Sequence, residues 1–435
     1  MKERSMKRVV LCGILWMFLG ACQEASGPSA GAVYWKGVHA QTLAFGAADN
    51  SEVIKALPGG NKALLVASKS RKVTLLGVDS ALTELRSQTL FAQDGGESEL
   101  THIDVGPGGS YAAVTRTLPV LEGDTVVDCQ GSLVFIEISD TQAFGSVLRE
   151  ISVGPMPDAV DISDDGRWVV TADEVDFNDG KCPLAAVTPS ITILELPDGT
   201  PASARVRARI SMVHEADSAH REPEQVIIAS DNDRVAVTLQ DTHELLIFRI
   251  STLLEDAPVD TLVEKSTADV TITRIPNRAD GAEPWPDGVA RFTTMEGTEY
   301  VVTAGEFNDT FSIFDWDGTF VTQVMIQASD MPGDLPRNLE DWCKAPFRPD
   351  SVAPFGYQGH SYLAFSLKYA GAVGVWRVDE VTDIQLASVV KIGDAEGGTP
   401  ETESTIGTEG ISATSLGVIV TANEGESSAS LVRPL

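Results

Sequence analysis

Seven times along the chain an acidic residue opens a short apolar run: Glu52 (SEVI), Glu99 (SELTHI), Asp158 (MPDAVDI), Glu224 (EPEQVII), Asp287 (WPDGVA), Asp350 (RPDSVA) and Glu409 (TEGISA). The steps are 47, 59, 66, 63, 63 and 59 residues. Each is long enough for four short strands and their turns, and a fixed period of this size constrains the fold more than any single motif. Turn signals such as PGGN, GPGGS, SDDGR and SDND follow the first run. A β-branched second run comes next (WVVTAD, VAVTLQ, YVVTAG, YLAFSL, GVIVTAN), then an alternating third (KVTLLGV, SLVFIEI, SITILEL, ELLIFRI). Fourth strands are the weakest signals, as in SVLREISV, ARVRARIS and FVTQVMI, and no stretch carries a helical period.

Seven four-stranded sheets bury both their faces by stacking radially, which predicts an all-β, seven-bladed β-propeller over residues 32–435. The last repeat stops at its third strand, SASLVRPL. The segment from Ala32 to Thr42 is predicted to supply the missing outer strand, so that the N- and C-terminal strands close the last blade. An open solenoid, the competing arrangement, needs capping segments that the sequence does not contain.

The chain has a formal net charge of -31 and no basic run after Arg8. Nucleic acid is therefore excluded as a partner, because phosphate binding requires clustered Lys and Arg. An acidic exterior favours solubility and attracts cations or basic partners.

The amino terminus pairs Lys7 and Arg8 with an apolar run from Val9 to Leu19, too short for a spanning helix and suited to a signal segment over residues 1–21. Leu19-Gly20-Ala21-Cys22 resembles the lipobox of bacterial lipoproteins. That resemblance implies cleavage before Cys22, acylation of its thiol and a lipid anchor in the membrane. Residues 22–31 would then be the lipidated Cys and a short polar tether. Gln23 after the lipidated position resembles an outer-membrane sorting signal, so the expected location is the cell envelope. Gly27-Pro28-Ser29-Ala30-Gly31 fits a serine-hydrolase string but lacks the strand before it and the helix after it. Export implies an oxidising compartment, and Cys129 and Cys182, in equivalent loops of neighbouring repeats, are the preferred disulfide pair, leaving Cys343 odd.

Pro157-Asp158-Ala159-Val160 leading to Thr171-Ala172-Asp173-Glu174 resembles the YncE-like and surface-layer-type propellers. A second pattern is closer to the choice-of-anchor I domain found in mesenchyme-specific cell-surface glycoprotein homologues. It comprises Pro223-Glu224-Gln225-Val226 with Val237-Thr238-Leu239-Gln240, and Glu409-Gly410-Ile411 with Thr421-Ala422-Asn423-Glu424-Gly425. The resemblance implies the propeller fold and an envelope setting, and brings no catalytic residues.

In a propeller the first-strand starts and the second-strand exits share one face around the central channel. The seven carboxylates, with Asp173, Glu174, Asp241, Glu306 and Glu424 at the exits, are thus candidates for one acidic ligand- or cation-binding face. Asp176-Phe177-Asn178-Asp179-Gly180 and Glu306-Phe307-Asn308-Asp309 add oxygen donors of the kind Ca2+ or another divalent cation takes, at Asp176, Asn178, Asp179, Asn308 and Asp309. The competing reading is that these residues cap backbone N–H groups and shape turns. The histidines have no metal-binding spacing, and His243, near Glu244, is the one placed near an exit. Trp285 and Trp342 lie on approaches to the same face. No nucleophile stands beside a recognisable base, so no catalytic residue is assigned. The expected function is a binding or scaffold module for a protein, peptide or cationic ligand; the alternative is a divalent-metal-dependent hydrolase of the lactonase-like propeller type.

Overall fold

The computed structural model describes residues 41–46, 49–94, 98–122, 125–175, 187–212, 221–258, 261–332, 335, 345–392 and 407–434. Cys22, Asp176, Asn178, Asp179, Cys182, Trp342 and Cys343, with the signal and tether segments, lie outside the described residues.

Seven antiparallel sheets follow one another in sequence. The blades begin with strands Ser51–Ala56, Glu99–Val105, Pro157–Ile162, Pro223–Ile228, Pro286–Thr293, Pro349–Tyr357 and Thr408–Ala413. Each first strand pairs with the second, the second with the third, and the third with an outer fourth. In blade 7 the fourth strand is Gln41–Ala44, which pairs antiparallel with Ser428–Val432, Leu43 facing Ala429. The expected closure by the two ends of the chain is therefore observed.

Burial explains the composition of each strand. The third strand of blade 3, Ser190–Glu195, is buried throughout, whereas the outer strand Leu82–Thr89 of blade 1 is exposed after its first residue. Inner strands lie between two neighbouring blades and read as continuous β-branched and apolar runs; outer strands face water and tolerate charge.

The apolar side chains gather into one cluster at each contact between neighbouring blades. Leu64, Val66 and Leu100 represent blades 1 and 2. Phe135 and Val160 join blades 2 and 3, Ile193 and Val237 join 3 and 4, and Leu245 and Phe314 join 4 and 5. Phe311 stacks on Phe365 at 4.6 Å between blades 5 and 6. Tyr362 and Ile419 join 6 and 7, and Leu431 with Ile54 joins 7 back to 1. Each pair of neighbours, the closing pair included, thus has its own core, which is what a closed ring of seven requires.

Two elements depart from the repeat grammar. Blade 3 carries a fifth strand, Val263–Ser266, running parallel to Arg205–Ser211. It arises from the long connection between the third and fourth strands of blade 4, which also forms the short helix Ile250–Leu253. Cys129 is disulfide-bonded. It packs beside Met156 and Val175 in a small separate cluster.

Candidate functional site

Each first strand starts with a break in pairing register. The breaks fall between Ser51 and Val53, Leu100 and Ile103, Pro157 and Ala159, Pro223 and Val226, Pro286 and Val289, Pro349 and Val352, and Thr408 and Ile411. A residue inside such a bulge leaves the ladder and is re-aimed. In six blades that residue is the recurrent acid. Backbone N–H groups freed there are taken by second-strand hydroxyls: Gln225 donates to Thr238 Oγ1 at 3.1 Å and Ser351 to Ser366 Oγ at 2.9 Å. Thr238 in turn donates to the carbonyl of Asp287 at 2.7 Å, tying blade 4 to blade 5. Small residues follow the acid where the next strand passes closest. A Cβ on Gly410 would lie 2.5 Å from the carbonyl oxygen of Glu52, and one on Gly288 2.6 Å from that of Asp350.

The six re-aimed acids, Glu52, Asp158, Glu224, Asp287, Asp350 and Glu409, line a central cavity of about 1210 Å³. Blade 2 corrects the expected ring of seven. Its bulge encloses Thr101 and His102, while Glu99 lies before the break, in regular pairing with Thr117. Thr101 takes the acid's place in the lining and donates to the carbonyl of Pro157.

The residue directly after the second strand supplies the next part of the face. Ser68, Glu174, Gln240, Glu306, Lys368 and Glu424 hold this place in blades 1, 3, 4, 5, 6 and 7. Gln240, rather than Asp241, is the counterpart in blade 4, and its amide reaches Glu306 at 3.4 Å. Asp173 does not join this face. It is fully buried inside blade 3, where Thr171, Ser190 and Thr192 donate to its carboxylate, and burial lifts its pKa to about 6. Asn423 occupies the same place in blade 7 with Thr421, Ser428 and Ser430.

Burial and crowding of like charge set the electrostatics. Burial first, then Asp158, raises Glu52 to about 8. Burial, then Glu174, Asp158, Asp287 and Glu222, drives Glu224 well above the usual range. Asp287 is raised well above it by burial, Asp350, Glu306 and Asp158. Glu409 is raised by burial against the pull of Lys368, and Asp350 rises to about 6 for the same reason.

Two cations within blades 5 to 7 were not foreseen in the strand pattern. Lys368 Nζ bonds Glu409 and lies 3.6 Å from Asp350 and 3.8 Å from Glu424. Arg348 pairs with Glu306 and donates to Tyr369 Oη at 2.9 Å. Its guanidinium sits 4.4 Å from the Phe307 ring, and Phe307 in turn meets Trp285 at 5.4 Å. Trp285 thus belongs to a packed rim that fixes Arg348. His243 is the next member, 5.1 Å from Trp285, buried, and held by the Gln240 carbonyl at 3.0 Å and Glu283 at 3.2 Å.

Deeper in the cavity lies a second layer. Lys55 Nζ meets Asp104 at 2.7 Å, and the other oxygen of Asp104 accepts the Ile162 N–H at 2.8 Å. Asp161 accepts the Ile228 N–H at 2.7 Å, and burial with the nearby Asp104 lifts it to about 7. His102 is lowered to about 4 by burial and Lys55, and its Nδ1 accepts the Val160 N–H. These first-strand polar residues bridge adjacent blades; their signal in the sequence was polar side chains interrupting an apolar strand.

Among the described residues two carboxylate trios place ligand oxygens within 4.8 Å of one another: Asp158, Glu174 and Glu224, and Asp287, Glu306 and Asp350. Asn308 and Asp309, expected among cation ligands, fall in neither. Asp309 accepts the N–H groups of Phe347 and Arg348 at 3.1 and 2.9 Å, and Asn308 accepts from Thr310 at 2.6 Å. Asp309 thus anchors the connection into blade 6, while Asn308 is buried within blade 5, its amide turned to the Ala282 carbonyl.

The fold and this face define a seven-bladed β-propeller with an acidic channel mouth. The model of the choice-of-anchor I domain family matches residues 52–253, bearing out the family resemblance read from the sequence. No curated protein sequence matches the chain. Among solved structures, a streptogramin B lyase aligns with a TM-score of 0.54 at 12% identity, covering 92% of this chain and 98% of that one. Virginiamycin B lyase from Staphylococcus aureus gives 0.54 at 15% identity, with 91% and 99% covered. A periplasmic gluconolactonase of Pseudomonas aeruginosa gives 0.53 at 11% identity, with 88% and 91% covered. At these identities the likeness is one of fold.

Proposed function

We propose that this propeller is a binding module that takes a cationic ligand, an ammonium- or guanidinium-bearing peptide or a metal ion, at the acidic mouth of its channel. The observation that carries the reading is the convergence of six bulge carboxylates on one cavity, with Glu52, Glu224, Asp287 and Glu409 all driven above the carboxylate range. Carboxyls in that condition lower their free energy either by keeping protons or by gaining a counter-cation. The chain already satisfies part of the ring in this way with Lys368 and Arg348. Fluorescence anisotropy of a labelled oligolysine peptide with the purified full chain tests the reading. Binding should weaken as salt rises, since charges at the mouth are partly screened over a Debye length of about 10 Å at 0.1 M salt. It should also weaken in the Glu52→Gln, Glu224→Gln double variant. Absence of binding at low salt by any cationic probe contradicts the proposal.

The same reading includes the envelope setting. Cys22 is proposed as the acylated residue, with the lipid as membrane anchor in the outer membrane and the acidic propeller beyond the tether. Incorporation of an alkyne-tagged fatty acid in an exporting bacterial host, lost in Cys22→Ser, supports this; equal labelling of both proteins refutes it.

A second reading, metal-assisted hydrolysis, draws on the two carboxylate trios at the mouth. The fold likeness to a gluconolactonase suggests lactones as the first substrates to try. Turnover of a lactone panel that EDTA abolishes favours it, and no turnover with added Ca2+, Mg2+ or Mn2+ removes it.

A further inference from the structure

We propose that one divalent cation of calcium size is held between blades 3 and 4 by Asp158, Glu174 and Glu224; this deepens the reading of the channel mouth as a cation-binding face and rests on it. Asp158 opens blade 3, Glu174 follows the second strand of that blade, and Glu224 opens blade 4. Each offers an oxygen within 4.8 Å of the other two. That span is about twice a Ca–O bond of roughly 2.3–2.6 Å, so a single ion among them reaches all three. Mg2+, with bonds of about 2.0–2.1 Å and a strict octahedron, would draw the oxygens closer together.

A cluster of acids alone does not make a metal site. The independent observation is Glu224, which is 8% exposed yet, among the described residues, has no hydrogen-bond donor and no ion pair at its carboxylate. The charges that act most strongly on it are those of Glu174, Asp158, Asp287 and Glu222, all carboxylates. A group taken out of water among like charges needs a proton or a cation.

The ring itself supplies the comparison. The other trio, Asp287, Glu306 and Asp350, has the same spacing, but Arg348 pairs with Glu306 and Lys368 stands 3.6 Å from Asp350. Lys368 holds the place directly after the second strand of blade 6. The residue at that place in blade 4 is Gln240, whose amide turns to Glu306. The fold thus brings its own cations to Glu306 and Asp350, whereas Glu224, among the described residues, has none at its carboxylate. Three carboxylates with water completing the shell place the expected affinity in the range of extracellular Ca2+ modules, a Kd of about 10⁻⁴–10⁻³ M.

The test is calorimetric titration of CaCl2 into the full chain in detergent, with Glu224→Gln and Glu174→Gln as variants and Glu84→Gln, on the exposed outer strand of blade 1, as the control. One-site binding is expected in the wild type and the control, with affinity reduced at least about tenfold in both crown variants. Should Glu224→Gln fail to fold, Glu174→Gln decides. No heat up to about 10 mM Ca2+, or binding that neither crown substitution changes, overturns the site. If spermidine or oligolysine binds while Ca2+ does not, the metal site falls and the broader reading stands; if no cation binds, both fall.

Discussion

Replacing Lys368 with Met removes the ammonium that bonds Glu409 and lies 3.6 and 3.8 Å from Asp350 and Glu424. Met keeps most of the apolar stem, so the change isolates the charge. Two unit charges about 4 Å apart interact by about 4 kcal/mol at an effective dielectric constant near 20. Desolvation of the ammonium offsets much of that sum, and breaking a buried ion pair by removing one partner costs about 3–5 kcal/mol. The cost must depend on pH. Asp350 already titrates near 6, above its ordinary value of 3.8, and losing Lys368 moves it higher. A carboxyl with a raised folded pKa holds a proton in the native state that the unfolded chain has released, so stability falls as pH rises through that interval. Lys368→Met is therefore expected to lose about 3–5 kcal/mol near pH 8 and about 1–2 kcal/mol near pH 5. Urea unfolding followed by tryptophan fluorescence at both pH values measures this. Lys62→Met is the control, because the Lys62–Asp140 pair at 2.6 Å has its carboxylate 64% exposed and should contribute less than about 1 kcal/mol. Equal losses in the two variants, or a loss at Lys368 that pH does not change, would refute the idea that Lys368 neutralises a buried crown.

Three more outcomes follow from the same geometry. Glu52, raised to about 8 from 4.5, should cost the wild type stability as pH climbs between those values, so Glu52→Gln should gain on the wild type by about 3–5 kcal/mol near pH 9 relative to pH 4.5; parallel stability curves would count against it. Gly410→Ala, whose Cβ would meet the Glu52 carbonyl at 2.5 Å, should strain the contact that closes the ring and lose about 1–3 kcal/mol, whereas the same change at the exposed Gly108, with nothing within 4 Å, should lose less than about 1 kcal/mol. Asp309→Ala leaves the N–H groups of Phe347 and Arg348 without their acceptor and should lose about 1–3 kcal/mol in urea unfolding, with unchanged Ca2+ affinity.

The blade count and the closure were legible because a radial stack repeats one local pattern: an acid opening the first strand in all seven repeats, then a β-branched second strand and an alternating third. The place of each acid relative to its bulge was less visible. Glu99 looks like its counterparts in one-letter code, yet the register break lies beyond it, at Thr101 and His102. Lys368 occupies the same repeat position as Glu174, Glu306 and Glu424, so aligning the second-strand exits would have revealed it; Arg348 is a tertiary partner whose role no spacing announces. Asp173 was misplaced because its strand-end position resembles an exit, whereas three hydroxyls from its own blade hold it inside. The fifth strand of blade 3 pairs in parallel across a long connection, a non-local contact that local periodicity does not encode.

The most direct test is crystallographic. Crystals of the protein soaked in MnCl2 and measured at the manganese absorption edge should give an anomalous difference peak enclosed by Asp158, Glu174 and Glu224 and none between Lys368 and Arg348. A map with no peak at the first position, or with its strongest channel peak beside Lys368, would contradict the account of an acidic crown satisfied from within on one side and by a bound cation on the other.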